Sequence, residues 1–392
     1  MSHLMNTYAR LPVNLVRGEG VFVFDDTGKR YLDALSGIAV NTLGHAHPRL
    51  VKALSAQVAS LIHVSNIYHV PESAQLSDKL TALAQMDEVF FCNSGCEANE
   101  AALKLARMYG HKKGIEKPII LVMSKAFHGR TLATLWATGN EKVQKGFTPV
   151  VEGFLRVPFD DLAAIETIAN DNPNIVAVLL EPIQGEGGVR QAHLPYLKAL
   201  RDLCTQKGWL MMLDEVQCGM GRTGVWFMHQ SAGIKPDVMT LSKGLGSGVP
   251  IGACLAAGPA AGVFGPGNHG STFGGNPLAC RAALTTLEVM EDDQLLANAG
   301  KIGQLIRDEL AVSLSGVPGV KEIRGSGLII GIELDRPCAD LVKQALAAGL
   351  LINVTADSVI RLLPALTFSA ENAHQLVDIL APLIITFLKN PT

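Results

Sequence analysis

Charged and aromatic side chains are both scarce in this chain of 392 residues. Charged residues make up 18% and aromatic residues 5%, whereas 48% are hydrophobic, and the formal net charge is −3. Because basic residues are not in excess, the chain lacks the broad positive field that attracts nucleic acid, and we expect no such partner. The low charge content is typical of large buried surfaces or of an oligomer.

Long apolar runs are also missing. The longest, such as residues 175–180, are far shorter than the roughly 20 residues that cross a bilayer as a helix. Residues 1–17 lack the continuous apolar segment of a secretory signal. We therefore expect a cytoplasmic protein with no membrane partner.

The spacing of the seven cysteines indicates neither a disulfide framework nor a zinc site. Their number is odd, no Cys-x-x-Cys occurs, and no His follows at zinc spacing. We interpret them as reduced thiols of a cytoplasmic protein. His45 and His47 are the nearest approach to a metal motif, but no carboxylate or thiol stands close to them in sequence, so we expect no metal site.

Short apolar runs alternate with amphipathic stretches between residues 72 and 263. This alternation predicts an α/β fold whose mainly parallel sheet is covered by helices on both faces. An N-terminal hairpin is predicted over residues 21–32, around a turn at 25–28. The strands predicted for the sheet cover residues 88–91, 119–122, 175–180, 210–213 and 238–241.

The C-terminal part has a different pattern, which predicts a smaller α+β domain. Its predicted helices cover residues 278–290, 295–314 and 370–388, and its predicted strands cover residues 327–334 and 359–362. We therefore divide the chain into an N-terminal segment that packs with the small domain, a large domain and a small domain, at residues 1–70, 71–275 and 276–392.

Lys243 and Asp214 each follow a predicted buried strand. Lys243 comes after residues 238–241 and before a Gly-rich loop, and Asp214 comes directly after residues 210–213. Open α/β sheets place their chemistry at the carboxyl ends of the strands. A Lys that forms a Schiff base and an Asp that faces a pyridinium nitrogen are the pair that pyridoxal phosphate requires. A surface Lys and a helix-capping Asp are the alternative.

A strand-to-helix turn at residues 91–100 predicts a phosphate site. The free N–H groups and the dipole at a helix N-terminus hold phosphate, and Gly95 lets the backbone approach closely. Alternatively, Ser94 only caps the helix. The chain has no Walker-type loop and no Gly-x-Gly-x-x-Gly between a strand and a helix, which argues against nucleotides.

Six segments carry a family pattern, in order, along nearly the whole chain. They are residues 93–100 (Asn-Ser-Gly-Cys-Glu-Ala-Asn-Glu), 126–130 (Ala-Phe-His-Gly-Arg), 181–188 (Glu-Pro-Ile-Gln-Gly-Glu-Gly-Gly), 214–224 (Asp-Glu-Val-Gln-Cys-Gly-Met-Gly-Arg-Thr-Gly), 242–243 (Ser-Lys) and 270–277 (Gly-Ser-Thr-Phe-Gly-Gly-Asn-Pro). Together they resemble the class III aminotransferases. The resemblance implies a fold-type I pyridoxal phosphate enzyme, with the cofactor in the large domain, and a homodimer whose active sites lie at the subunit interface.

The resemblance also implies the contacts to the cofactor ring. Lys243 would hold the cofactor through a Schiff base, and Asp214 would pair with the pyridinium nitrogen. Phe127 would stack on the ring, although a plain core aromatic is the alternative. Val216 and Gln217 would be further cofactor contacts, with Gln217 near the phenolic oxygen.

The phosphate contacts implied by the resemblance are Ser94, Gly95 and Cys96, joined by Thr272 from the other subunit. The family often has Thr where this chain has Cys96. Because a thiol is a weak hydrogen-bond donor, phosphate binding at Cys96 would rest on its backbone N–H.

Two Arg residues are candidates for binding substrate carboxylates, which the planar guanidinium binds with two hydrogen bonds. Arg130 resembles the family residue that binds the donor's α-carboxylate, and Ser271 resembles a further donor contact. Arg361 lies on an apolar strand, so its charge needs a partner. The family suggests Glu186, which would mask Arg361 while the donor's terminal amine reacts. The alternatives are a polar residue in a Gly-rich turn for Glu186 and a structural ion pair for Arg361.

The implied reaction runs in two half-reactions. The terminal amine of N2-acetyl-L-ornithine would pass to 2-oxoglutarate, giving N-acetylglutamate 5-semialdehyde and L-glutamate, as in arginine biosynthesis. Within the class, succinyl-diaminopimelate, ornithine and 4-aminobutyrate are alternative donors, and an aminomutase of glutamate semialdehyde would use the same cofactor contacts. A non-catalytic binding protein on this scaffold is a third hypothesis, but it would be expected to lack Lys243 or Asp214.

Overall fold

A computed structural model describes residues 3–389. Its strands, in chain order, are β1 (Leu15–Glu19), β2 (Phe22–Asp25), β3 (Arg30–Asp33), β4 (Glu88–Cys92), β5 (Ile119–Met123), β6 (Phe154–Val157), β7 (Ile175–Leu180), β8 (Ile183–Gln184), β9 (Arg190–Gln191), β10 (Leu210–Asp214), β11 (Val238–Leu241), β12 (Gly252–Ala256), β13 (Val320–Ser326), β14 (Ile329–Leu334), β15 (Leu350–Leu351), β16 (Asn353–Thr355) and β17 (Val359–Leu362).

The helices surround these strands. In chain order they are the short turn α1 (Ser36–Ala39), α2 (Pro48–Ser60), α3 (Pro71–Ala84), α4 (Gly95–Lys112), α5 (Leu132–Ala137), α6 (Glu141–Gln144), α7 (Leu162–Asp171), α8 (Leu194–Lys207), α9 (Met228–Ser231), α10 (Pro277–Asp292), α11 (Leu295–Ser313), α12 (Asp340–Ala347) and α13 (Ala370–Lys389). No helix within residues 3–389 is long and apolar enough to cross a membrane.

A seven-stranded sheet forms the centre of the molecule. Its spatial order is β4-β12-β11-β10-β7-β5-β6. The neighbours from β11 to β6 pair in parallel, whereas β12 is antiparallel to both β11 and β4. The expected α/β fold with a mainly parallel sheet is therefore confirmed.

Side chains alternate between the two faces of this sheet, and both faces are covered. On β10, Leu210 and Met212 join the core beneath α4, while Met211 and Leu213 join the core beneath α8. Every residue of β10 is buried. Burial on both faces explains why these strands read as continuous apolar runs in the sequence.

Two four-stranded sheets flank the central one, and β8 and β9 form a separate two-stranded sheet. The N-terminal sheet has the order β1-β2-β3-β15, and the C-terminal sheet has the order β13-β14-β17-β16. Because β15 pairs in parallel with β3, the start of the chain is hydrogen-bonded to its C-terminal part. The predicted hairpin is present as β2 and β3. The domain boundaries at residues 70 and 275 stay a prediction.

The sequence pattern did not predict some strands and misplaced the start of another. β12 lies in an Ala- and Gly-rich stretch with weak strand propensity, and it is a strand because it fills the space between β11 and β4. The strand predicted to start at residue 327 begins at Ile329 instead. Gly327 has φ +52°, and a Cβ there would lie 2.4 Å from the Arg222 carbonyl oxygen, so this position belongs to a turn.

Candidate active site

Lys243 and Asp214 meet at the carboxyl edge of the central sheet. β10 and β11 pair in parallel, with Asp214 opposite Thr240, and Lys243 lies two residues beyond the end of β11. Both side chains line one cavity of about 320 Å³. The prediction that two neighbouring strands present these residues at the same edge is confirmed.

The amine of Lys243 lies in surroundings that favour its neutral form. Burial lowers the pKa of Lys243, although the carboxylate of Asp214 acts in the opposite direction. The backbone of Lys243 is left-handed, with φ +42°, which is uncommon for a residue with a side chain. A neutral amine is both a nucleophile and a base, which is what carbonyl chemistry at a lysine requires.

Asp214 is held in place by three hydrogen bonds. Its Oδ2 accepts from Asn99 Nδ2 at 2.7 Å and lies 2.8 Å from His128 Nδ1, and its Oδ1 accepts from the Val216 N–H at 3.0 Å. Asn99 and His128 were not singled out from the sequence, although both lie in segments that carry the family pattern. Their contacts fix a buried carboxylate beside the cavity, in a position to meet a protonated ring nitrogen.

Ser94 and Gly95 lie at the N-terminus of α4. Ser94 is the N-cap, and its Oγ accepts the Glu97 N–H at 3.2 Å. A Cβ on Gly95 would lie 2.7 Å from Val216 Cγ1, so only glycine fits here without displacing a side chain that lines the cavity. The N–H groups of Gly95 and Cys96 have no carbonyl partner within the helix and are available to an anion. Capping by Ser94 is observed, and its contact to a phosphate stays a prediction.

Cys96 lines the cavity and anchors the loop that follows Phe127. Its Sγ accepts the backbone N–H of Arg130 at 3.1 Å and that of Thr131 at 3.4 Å. Gly129 comes so close that a Cβ there would lie 2.4 Å from this sulfur. The thiol therefore positions the backbone of Arg130, a function that the sequence pattern did not indicate.

Phe127 is tied to a buried carboxyl group. Its backbone N–H donates to Glu181 Oε1 at 2.8 Å, and Glu181 is only 5% exposed. Burial raises the pKa of Glu181 well above its ordinary value, and the negative charge of Asp214 acts in the same direction. Glu181 lines the cavity with Phe127, yet it was missed as a site residue; its place at the start of segment 181–188 was the available signal.

Arg361 is fully buried and pairs with Glu186. Its Nη1 donates to Glu186 Oε1 at 2.6 Å and to Gln217 Oε1 at 3.1 Å, and its Nε donates to Asn353 Oδ1 at 3.2 Å. Among the described residues, Arg361 Nη2 has no hydrogen-bond partner. The predicted ion pair is confirmed. Its role as a mask stays a prediction.

Ser271 and Thr272 lie outside the cavity of Lys243 in the same chain. They line a separate cavity of about 300 Å³ together with Asn93 and Glu97, and Ser271 Oγ accepts from Asn93 Nδ2 at 3.2 Å. Arg130, Val216 and Gln217, in contrast, do line the cavity of Lys243. Within one chain, Ser271 and Thr272 are thus not brought to Lys243. Glu186 lines a neighbouring cavity, and Arg361 reaches the cavity of Lys243 only through its hydrogen bond to Gln217.

The residues around the cavity of Lys243 suit pyridoxal phosphate. A lysine amine, a fixed carboxylate, an aromatic ring and a helix N-terminus surround one space, and these groups match the aldehyde, ring nitrogen, ring face and phosphate of that cofactor. Across residues 3–389, no group of three or more His, Cys, Asp or Glu side chains is placed to hold a metal ion.

Comparison with known proteins settles the family. The model of the family described as "Aminotransferase class-III" matches residues 4–384. The chain belongs to the class III aminotransferases. Members of this class use pyridoxal phosphate, and the fold-type I assignment is confirmed.

Relatives of this class III aminotransferase include proteins with two different names. A Nitrosomonas europaea protein named acetylornithine aminotransferase is 59% identical over 390 residues, which cover 100% of this chain and 99% of that protein. Among solved structures, an ornithine aminotransferase from Toxoplasma gondii, described with partial occupancy of pyridoxal phosphate at its active site, has a TM-score of 0.95 and 33% identity, covering 99% of this chain and 94% of that one. N-acetylornithine aminotransferase from Stenotrophomonas maltophilia has a TM-score of 0.85 and 34% identity, covering 97% and 98%.

Proposed function

We propose that the chain transfers the terminal amine of N2-acetyl-L-ornithine to 2-oxoglutarate, giving N-acetylglutamate 5-semialdehyde and L-glutamate. The observation that carries this proposal is the 59% identity over the full chain to a protein named acetylornithine aminotransferase. It is supported by the positions of Lys243, the buried carboxylate of Asp214 and Arg130 around one cavity, with Arg361 hydrogen-bonded to Gln217 of that cavity.

Lys243 is the base in this proposal. When bound, pyridoxal phosphate supplies the carbonyl group that accepts the amine and the ring that withdraws electrons from the substrate carbon. Nζ of Lys243, whose pKa burial lowers, removes the proton from the substrate carbon that bears the amine. Asp214, fixed by Asn99 and His128, stabilises the positive charge of a protonated ring nitrogen.

Two Arg residues divide the substrates between them. Arg130 binds the α-carboxylate of the amino donor, whose terminal amine then reaches the reacting centre. Glu186 neutralises Arg361 during this half-reaction, because a free guanidinium would attract the wrong carboxylate. For 2-oxoglutarate or glutamate, the Glu186 side chain moves away and Arg361 binds the α-carboxylate with two hydrogen bonds. The two half-reactions alternate as a ping-pong mechanism.

The second candidate donor is ornithine, which the high structural similarity to an ornithine aminotransferase favours. The deciding experiment is the absorbance spectrum of the purified holoenzyme with each donor alone, followed by 2-oxoglutarate. We expect N-acetylornithine to convert the cofactor to its amine form and 2-oxoglutarate to restore the aldehyde form. A change with ornithine but none with N-acetylornithine would reject the proposed donor.

We propose that the active enzyme is a homodimer in which Thr272 serves the partner's site. Thr272 lines a cavity other than that of Lys243 in its own chain. Beside it lies an exposed apolar patch, which comprises Leu61, Ile62, Ile67, Tyr68 and Phe273. Asn66 links the two segments of the patch, because its Nδ2 donates to the carbonyl oxygens of Ser271 and Gly274. Apolar patches of this kind mark protein interfaces.

We also propose the division into residues 1–70, 71–275 and 276–392, and a cytoplasmic location. The pairing of β3 with β15 supports an N-terminal segment that packs with the small domain. All seven cysteines are free and six of them are buried, which supports a reducing compartment. Hydrogen exchange of the holoenzyme tests the boundaries, since residues of one domain are expected to exchange as one cooperative unit.

A further inference from the structure

The hydrogen bonds of Arg361 leave one edge of its guanidinium unoccupied. A guanidinium has five N–H donors, and two parallel ones bind a carboxylate. In Arg361, Nε donates to Asn353, and Nη1 donates to Glu186 and Gln217. Nη2 is buried without a partner among the described residues. Departure of Glu186 would therefore free an N–H of Nη1 next to the unoccupied Nη2, beside Gln217, which lines the cavity of Lys243.

Asn353 faces Arg361 across the C-terminal sheet. The two residues are directly opposite in the antiparallel pair of β16 and β17, so their side chains lie on the same face. On the other side of Arg361, β14 places Gly331 opposite it, which has no side chain. Of the two cross-strand neighbours of Arg361, only Asn353 can therefore hold the guanidinium from the side.

The same strand also holds the backbone of Glu186. Thr355, two residues from Asn353 and on the same face of β16, donates from Oγ1 to the Glu186 carbonyl oxygen at 2.5 Å. The side chain of Glu186 is not restrained by this bond, and it is 38% exposed. β16 thus fixes the side chain of Arg361 and the backbone of Glu186, while it leaves the Glu186 carboxylate free to move.

We propose that Asn353 is a positioning residue for the half-reaction of 2-oxoglutarate and glutamate. By accepting from Nε, it keeps the Nη1 and Nη2 edge of Arg361 directed at the incoming α-carboxylate after Glu186 has moved away. An amide oxygen suits this task because it is a neutral acceptor, whereas a carboxylate would compete with the substrate for the guanidinium. The inference rests on the proposed function, since it presumes a substrate that binds Arg361.

The test compares the two half-reactions of the holoenzyme by stopped-flow absorbance of the cofactor. The variants are Asn353→Leu, which removes the acceptor, and Asn353→Asp, which adds a charge. We expect Asn353→Leu to raise the half-saturating concentration of 2-oxoglutarate about tenfold, the usual effect of losing a hydrogen bond to a charged group. Its reaction with N-acetylornithine should stay within about twofold of the wild-type rate. Asn353→Asp should slow the 2-oxoglutarate half-reaction more than Asn353→Leu does, because the new carboxylate would pair with Arg361 in place of Glu186.

Two controls keep the result specific. Val354→Ala alters the neighbouring residue, which packs against buried apolar side chains and points to the opposite face of β16. It should leave both half-reactions unchanged. Arg361→Ala sets the upper limit of the expected loss, because it should slow the 2-oxoglutarate half-reaction far more than the donor half-reaction.

Titration with glutarate, a dicarboxylate that cannot react, is a second measurement. Asn353→Leu should bind glutarate about as much more weakly as it binds 2-oxoglutarate. If that variant does not fold, Asn353→Ser and Asn353→Asp carry the comparison.

Equal losses in both half-reactions, or unchanged binding of 2-oxoglutarate and glutarate, would overturn the role of Asn353. The proposed function fails differently. In that case the wild-type enzyme itself would not react with 2-oxoglutarate or glutamate, before any variant is compared. If the wild type accepts 2-oxoglutarate but uses another donor, that donor replaces N-acetylornithine in the same comparison.

Discussion

At the scale of single residues, the chemistry depends on groups whose surroundings alter their ordinary behaviour. A free lysine has a pKa of about 10.4 and is almost entirely protonated at neutral pH. Burial lowers the pKa of Lys243, so the neutral amine is populated at a lower pH than in a free lysine. The cost of this burial is limited by Asp214, whose negative charge favours the protonated form.

Replacement of Lys243 by Ala should abolish the absorbance of lysine-bound cofactor and lower turnover by at least about 10³-fold, since both the attachment point and the base are lost. Visible absorbance and steady-state assay of the purified variant measure the two effects. Lys104→Ala, a lysine whose Nζ contacts Asn268 and His269 outside the cavity, is the matched control. Full activity in Lys243→Ala would remove Lys243 from the mechanism.

Cys96 illustrates how a side chain acts through a neighbouring backbone. Its sulfur accepts two N–H groups from the loop that carries Arg130. We expect Cys96→Ala to raise the KM for N-acetylornithine about two- to fivefold, as for the loss of weak hydrogen bonds, and to leave kcat and cofactor affinity nearly unchanged. Cys96→Ser keeps an acceptor and should recover part of the loss. A variant that loses pyridoxal phosphate while it keeps its KM would instead show a direct contact of the thiol with the phosphate.

At the scale of elements, α4 combines a capped N-terminus with residues that line the cavity of Lys243. Its N-cap, Ser94, satisfies the Glu97 N–H, and its first turn faces the cavity through Gly95 and Cys96. The same helix also carries Asn99, one turn further on, which holds Asp214. A single helix therefore carries both the proposed phosphate contacts and the residue that holds Asp214.

Capping and phosphate binding by Ser94 can be separated with two substitutions. Ser94→Ala removes the cap and should lower the stability of the cofactor-free enzyme by about 1 kcal/mol. Ser94→Asp keeps a good cap and should leave that stability unchanged, but its negative charge should weaken pyridoxal phosphate binding at least about tenfold if the phosphate lies there. Urea unfolding of the cofactor-free enzyme and cofactor titration measure the two quantities. Unchanged cofactor affinity in Ser94→Asp would place the phosphate elsewhere.

At the scale of the whole molecule, one chain does not bring all the predicted contacts together. Ser271 and Thr272 line their own cavity beside the apolar patch, away from Lys243. Burial of the patch in a dimer would remove its exposed apolar surface from water, which is favourable. It would also bring a second copy of Thr272 toward the first chain's site.

Mixed dimers test this sharing. Lys243→Ala and Thr272→Ala subunits, unfolded and refolded together, should form hybrids with one intact site, because Lys243 comes from one chain and Thr272 from the other. At a cofactor concentration that leaves the Thr272→Ala homodimer largely empty, activity should rise well above that of either parent. The matched control mixes Lys243→Ala with Asp214→Ala, two residues of the same chain's site, and should show no rescue. Equal behaviour of both mixtures would place Thr272 outside the partner's site.

Local patterns were sufficient to predict five of the seven strands of the central sheet and the positions of Lys243 and Asp214 at its edge. Strands that are buried on both faces are mostly apolar, so β7, β10 and β11 could be predicted from the sequence, and so could the positions of the Lys and the Asp at their ends. β12 and β16 could not be predicted from the sequence. β12 is rich in Ala and Gly, and β16 has only three residues. Their positions follow from the strands on which they pack.

The amino-acid sequence by itself determined the class of this protein, because the cofactor chemistry needs a few residue types at fixed distances from strand ends and helix starts. Only the tertiary structure decided which groups hold those residues. Asn99, His128, Glu181 and Asn353 lie far along the chain from the side chains or backbone groups they contact, or act through bonds that no local pattern encodes. Their roles arise from the packing of separate elements, since a hydrogen bond depends on distances that only the folded chain sets.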